Sequence, residues 1–226
     1  MQTSTDIQGY DPLDTSPGGA YAEGGELILL YGVSRSGKTH MAKFLTWLWV
    51  IQKKLFDFVY AFNGGPSRGL ETILRPELIS PVDLEKFKKF LVVTKKLFQK
   101  GKRTLLILDD IGGCRPIFEK PALKSFWTTY RHYGVTILAC THIYTQIPKD
   151  FRVQVNVWMI MAQPLDDDEL KRDLAKYAKQ GQQKLFYRLL DMVADDANKF
   201  MCLACDIQRR EFQWLKAAVE IPPFKL

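Results

Sequence analysis

Cysteine is scarce in this chain: Cys114, Cys140, Cys202 and Cys205 are the only four in 226 residues. So thin a supply excludes a disulfide-stapled scaffold in a chain of this length. Cys202 and Cys205 have the spacing of a metal knuckle, but no second Cys or His pair follows them. Their neighbours suggest a strand, on which the two thiols point to opposite faces, so a metal site there is not expected. Long apolar runs are missing too. The most apolar helical stretch, residues 44–51, is far too short to cross a bilayer. No signal-peptide pattern opens the sequence, which begins polar and carries Asp6 and Asp11; the expectation is a soluble protein inside the cell, not a secreted one. Internal repeats and low-complexity blocks are absent. An Arg-rich lid segment is also absent, which counts against a nucleotide kinase.

What is present suffices for a substantial core: 46% of the residues are hydrophobic and 12% aromatic. Basic residues outnumber acidic ones by 32 to 25, a formal charge of +7. That balance suits a polyanionic partner without requiring one. Residues 1–25 are rich in Gly, Ser, Thr, Asp and Pro with no apolar period, and read as a mobile arm. From residue 26 strand and helix patterns alternate, the signature of an α/β domain whose mainly parallel central sheet is flanked by helices. Strands are expected at 27–31, 58–62, 104–109, 135–140 and 155–162, and helices at 38–54, 81–100 and 121–132. Residues 166–197 read as two helices broken near Gly181, and 200–206 with 211–215 as a closing strand pair. One domain over 26–226 follows, with a core at 26–162 and C-terminal helices and a strand pair at 163–226.

The chemistry concentrates in Gly32-Val33-Ser34-Arg35-Ser36-Gly37-Lys38-Thr39, which fits G-x-x-x-x-G-K-[ST] at every fixed position. An apolar strand precedes it and a helical pattern follows, the context such a phosphate-binding loop needs. Loop amides and the helix N-terminus, through His40, then cradle the phosphates of ATP. Lys38 reaches the β- and γ-phosphates and Thr39 ligates Mg²⁺. A second element is the aliphatic run ending in Asp109-Asp110. Asp109 is expected to hold Mg²⁺ and Asp110 to act as general base toward water. The doubled carboxylate favours hydrolysis over transfer to a small molecule. A third element is the strand ending in Thr141-His142, either of which could sense the γ-phosphate or orient water; ordinary loop polarity explains them equally well.

These elements in this order resemble the genome-packaging ATPases of poxviruses, other large DNA viruses and virophages, within the FtsK–HerA group of P-loop NTPases (ASCE/RecA-like). The resemblance runs from about residue 27 to 162 and rests on Leu108-Asp109-Asp110-Ile111-Gly112, on Tyr130-Arg131-His132-Tyr133-Gly134-Val135-Thr136, and on Ile147-Pro148-Lys149-Asp150-Phe151-Arg152. It departs where relatives often carry a Gln in the sensor loop. It implies a homo-oligomeric ring that hydrolyses ATP with Mg²⁺ and drives double-stranded DNA into a preformed viral capsid, working in the host-cell interior and carried in the virion. It also implies an arginine acting on a neighbour's site, with Arg131 and Arg152 as the matching candidates; a helix-end or surface-pair role is the plain alternative for each. The DNA contact stays open between the lysine-rich segment at 86–103, for which a solvated face of an amphipathic helix is the favoured plain reading, and the loops at 63–68 and 112–120. A cellular DNA-remodelling ATPase, or a nucleotide-gated adaptor without turnover, are the alternative functions.

Overall fold

Five consecutive apolar residues make strand β1 (Leu27–Tyr31), and all five are buried because the strand lies inside the sheet. It pairs in parallel with β5 (Val135–Thr141) on one side and β6 (Val157–Met161) on the other. Parallel strands covered on both faces read as unbroken apolar runs, as here and in β4 (Thr104–Asp109). The remaining strands are β2 (Phe58–Asn63), β3 (Ile79–Pro81), β7 (Met201–Asp206) and β8 (Glu211–Lys216), and the eight run in the order β3-β2-β4-β5-β1-β6-β7-β8. β7 and β8 are antiparallel additions at the far edge. This computed structural model describes residues 25–65, 69–161, 168–178, 183–193, 201–208, 210–217 and 220–226. The expected arm up to residue 24, the helix break near Gly181 and part of the 63–68 loop lie outside them.

Helices cover both faces. Helix α1 (Lys38–Thr46) runs on as a wider π-helical turn, Trp47–Gln52, and stops at Lys53. It packs Met41, Leu45 and Trp49 against Ile28, Leu30 and Ile107 on one face. On the opposite face lie α2 (Leu84–Phe98), α3 (Arg115–Phe118), α4 (Pro121–Thr129), α5 (Lys149–Arg152), α6 (Asp168–Ala175) and α7 (Gln183–Val193). An aromatic cluster joins them: Trp127 stands edge-on to Phe87, Phe118 and Phe151 at centroid distances of 5.7, 5.2 and 4.9 Å.

Local chemistry explains where the boundaries differ from the sequence reading. The helix expected from residue 81 begins at Leu84, because Asp83 caps it by accepting from the Lys86 amide at 2.9 Å. The residues before it form β3, too short at three residues to show a period. Along α2 the buried positions are Phe87, Phe90 and Thr94, whereas Phe98 at its end is 37% exposed. The expected helix at 121–132 gives way after Thr129 to a tighter turn, Tyr130–Tyr133. Cys202 and Cys205 are buried on opposite faces of β7, as the strand reading requires. Among the described residues no group of His, Cys, Asp and Glu could hold a metal ion by itself.

The N-terminal edge of the sheet is tied by one buried amide side chain. Asn156 Oδ1 accepts from the Leu27 N–H at 2.8 Å and from the Tyr130 hydroxyl at 2.9 Å. Burial pushes the Tyr130 hydroxyl up to about 12, so it stays a donor throughout the physiological range. Asn156→Ala strands both donors, and should destabilise the fold by about 3 kcal/mol in denaturant unfolding, since each unsatisfied buried group costs about 1–3 kcal/mol. Tyr130→Phe, which removes only one donor, should cost markedly less. Equal losses would contradict the shared-acceptor role.

Candidate functional site

The loop between β1 and α1 stands at the C-terminal edge of the sheet, where the strand order reverses and open α/β sheets hold their ligands. Gly32 N–H continues the ladder by donating to Thr141 O at 3.2 Å, and Ser36 N–H closes a turn on Val33 O at 3.2 Å. Gly37 then takes a left-handed conformation (φ 93°), a shape that costs glycine little, and α1 starts from it. This helix has no side-chain cap and no acidic residue in its first turn, so its leading amides and positive dipole end are left for an anion. Arg35 also adopts a positive φ of 67°, a strained value for a side chain of that size.

Lys38 folds back over the loop. Its Nζ donates to Gly32 O at 2.6 Å and Val33 O at 2.7 Å. Burial pulls its ammonium below the ordinary lysine range, with Cys140, Asp109 and Asp110 opposing. Across from it, at the tip of β4, Asp109 is only 3% exposed. Burial, then the neighbouring Asp110, raises its carboxyl above the usual carboxylate range. Its Oδ2 and the Ser36 hydroxyl are buried without a hydrogen-bond partner among the described residues. A buried, unpartnered carboxylate oxygen is costly unless a cation or donor completes it. Lys38, Thr39 and Asp109 together therefore fit a triphosphate with its Mg²⁺.

Asp110 leaves the strand in the left-handed region (φ 52°, ψ 50°), which turns its side chain out of the sheet. Its Oδ1 lies 3.2 Å from His142 Nδ1, both side chains being partly exposed. The structure thus brings His142 to the candidate base. Thr141 behaves differently: it is fully buried and its hydroxyl turns to the backbone of Ile143. His142 also rests on Gly112, where an added Cβ would stand 3.4 Å from its ring and 2.7 Å from the Gln146 amide oxygen. Gln146, four residues beyond His142, is thus a polar neighbour that sequence reading did not single out.

The two arginines lie elsewhere. Arg131 is exposed beside the start of β5, at the sheet edge opposite the phosphate loop, with its guanidinium 5.5 Å from the Tyr130 ring centre. Arg152 is held within its own chain, 4.2 Å over the Tyr144 ring and 3.0 Å from Glu169 of α6. Tyr144 in turn donates to Asp173 of the same helix, and burial with that carboxylate raises its hydroxyl far above the usual range. On α2, Lys86, Lys89, Lys95 and Lys96, and just past its end Lys100, are exposed and form no ion pair among the described residues, while Lys88 meets Glu85 at 2.7 Å. The 112–120 segment folds into short helical turns in which Arg115 pairs with Glu119 at 2.8 Å.

Sequence reading placed Gly64 and Gly65 only in a candidate DNA-contact loop and missed their approach to the two carboxylates. Gly64 N–H donates to Asp109 O at 2.8 Å, and a Cβ on Gly65 would come within 2.1 Å of Asp110 Oδ2. The signal was a Gly-Gly pair directly after a strand, which marks a close approach of backbone to something else.

The sequence profile of the family described as "Poxvirus A32 protein" matches residues 26–205. A comparison with curated protein sequences returns no match. Among solved structures, the genome packaging NTPase B204 from Sulfolobus turreted icosahedral virus 2, in complex with ATP-gammaS, superposes with a TM-score of 0.62 at 15% identity, over 85% of this chain and 98% of that one. Its complex with AMPPCP gives 0.60 at 15% identity over 86% and 98%. EccC (ATPases 2 and 3) from Thermomonospora curvata gives 0.54 at 13% identity, over 93% of this chain and 40% of that one. At these identities the likeness is one of fold.

Gly65→Ala should displace the Asp110 carboxylate while leaving Lys38 and Asp109 untouched. The expected result is ATP affinity within twofold of the parent and hydrolysis at least about tenfold lower, part of the contribution of a positioned base. Gly113→Ala is the control, since a Cβ there meets nothing within 4 Å. Unchanged turnover in Gly65→Ala would disconnect this contact from catalysis.

Proposed function

The chain belongs to the poxvirus A32 protein family, and from that membership we propose that it is an ATP-hydrolysing motor that drives double-stranded viral DNA into a preformed capsid. The observation that carries the reading is the pair of carboxylates at the end of β4. Asp109 is buried with an unpartnered oxygen beside Lys38, and Asp110 is turned outward onto His142. A protein that only binds nucleotide needs the first of these and has no use for the second, which weighs against the adaptor alternative.

In this reading the first-turn amides of α1 and Lys38 bind the β- and γ-phosphates. Thr39 and Asp109 hold Mg²⁺, which supplies charge neutralisation to the phosphates when bound. Asp110 accepts the proton of the attacking water, and His142 keeps the carboxylate in place. Thr141, with its buried hydroxyl, braces the turn that presents His142. Arg131 is assigned as the arginine that completes a neighbour's site in a homo-oligomeric ring. It is exposed and lies away from its own phosphate loop, as a head-to-tail assembly asks of such a group. Arg152 serves its own chain through Glu169 and Tyr144. The free lysines of α2 supply phosphate contacts to DNA without reading its sequence. The protein works inside the host cell, where genomes are packaged, and travels with the virion.

Linear duplex DNA should stimulate ATP hydrolysis several-fold, and the stimulation should fade steeply with salt because counterion release dominates phosphate contacts. An ATPase rate indifferent to DNA would favour the adaptor reading. Asp110→Asn should keep ATP binding while hydrolysis falls about 10²-fold, the scale of a lost general base. Affinity and turnover falling together would reassign Asp110 to structure or metal binding. Lys38→Ala and Arg131→Ala chains have complementary defects, one a dead site and the other a missing finger. Mixed under ring-forming conditions they should recover part of the activity, and an inert mixture would remove Arg131 from this role.

A further inference from the structure

A fully buried thiol stands inside the phosphate site, and none of the chemistry above employs it. Cys140 is 0% exposed and is the sixth residue of β5. On one side its register partner is Leu30 of β1, the second residue before the phosphate loop. On the other, Ala139 pairs with Leu108 of β4, so the next step along both strands sets Cys140 beside Asp109. Side chains alternate along a strand. Ile107 and Cys140 both pack into the cluster beneath α1, which puts the carboxylate two residues after Ile107 on the same face as the thiol. That register turns the Cys140 thiol toward the carboxylate; burial and the neighbouring Asp109 raise the thiol well above its ordinary range, and Cys140 is also among the groups that act on Lys38. Asp109 Oδ2 meanwhile has neither a partner among the described residues nor contact with solvent.

We propose that Cys140 is a positioning residue for the metal-holding carboxylate: its thiol sets the orientation of Asp109 so that Oδ2 is presented to the cation shared with Thr39. A thiol is a weak donor. It turns the carboxylate without withdrawing the negative charge that the cation needs, and its size fills the space between β1 and β4. The Gly64 amide takes the Asp109 main-chain oxygen, so the groups left to hold the carboxylate are the Cys140 thiol, Lys38 and the Asp110 amide, and of these Cys140 is the one side chain that the binding of phosphates does not engage. Groups that hold a metal ligand in place commonly contribute about 10–100-fold in metal affinity or activity.

The inference rests on Asp109 being the Mg²⁺ ligand, and the test separates the two. Cys140→Ala removes the donor and Cys140→Ser keeps one. ATP hydrolysis by the full chain is followed against Mg²⁺ concentration, with ATP affinity measured in parallel without Mg²⁺. Cys140→Ala should raise the Mg²⁺ needed for half-maximal activity about tenfold, with Mg²⁺-free ATP affinity unchanged, and Cys140→Ser should return it to near the parent value. Two variants that both match the parent overturn the proposal. Two variants equally shifted overturn it as well, because packing rather than the donor would then be responsible. Asp109→Asn serves as the reference: if it leaves the Mg²⁺ requirement unchanged, the assignment of Asp109 has failed and not the role of Cys140. Should Cys140→Ala not fold, infrared spectroscopy of the parent supplies the answer. The S–H stretching band that Cys140→Ser removes should lie at the lower frequency of a hydrogen-bonded thiol and move up in Asp109→Asn. A band at the free-thiol frequency in the parent overturns the proposal.

Discussion

The register of three adjacent parallel strands is the constraint on which the rest of this molecule depends. β4, β5 and β1 lie side by side, with Leu108 opposite Ala139 and Leu30 opposite Cys140. That alignment brings the strand ends to one edge, so the phosphate loop, Asp109 and the turn carrying His142 emerge together. The ladder reaches into the loop itself through the Gly32 amide and Thr141 oxygen. A slip of one residue in β4 would send Asp109 to the opposite face of the sheet, away from α1 and Lys38. Register is held where both faces are buried, and here every residue of β1, β4 and β5 is buried.

The buried charges at that edge are held against their own solvation. Burial lowers the pKa of Lys38 and raises that of Asp109, each toward its neutral form. A polyanion beside Lys38 and a cation beside Asp109 would reverse both shifts. The protein has thus already met the desolvation cost that a flexible site would meet on binding. Asp110 differs from Asp109 by a single backbone rotation into the left-handed region, and that rotation separates the two carboxylates into a buried one and a partly exposed one.

A second, weaker device joins the turn after β5 to the C-terminal part. Tyr144 donates to Asp173, and Arg152 stacks on Tyr144 while pairing with Glu169, so α6 is bound to the segment that follows His142. Movement of α6 and movement of that turn are therefore mechanically linked.

The positions of the glycine-rich loop, Asp109 and Asp110 at strand ends were legible in the sequence because their spacing is local and the strands before them are short, unbroken apolar runs. The faces of Cys202 and Cys205 were legible for the same reason, since alternation along a strand is a property of the chain itself. Helix ends were less so: the start of α2 depended on one capping hydrogen bond from Asp83, and the end of α4 on a tighter turn, neither of which has a period. What only the tertiary structure decided is who meets whom across the sheet. His142 came to Asp110, Gly65 to the same carboxylate, Cys140 to Asp109, and Arg152 to its own α6, while Arg131 went to the opposite edge. These partners are separated by tens of residues and joined by strand register and crossover direction, quantities fixed by burial on both faces of the sheet and not by any pattern along the chain.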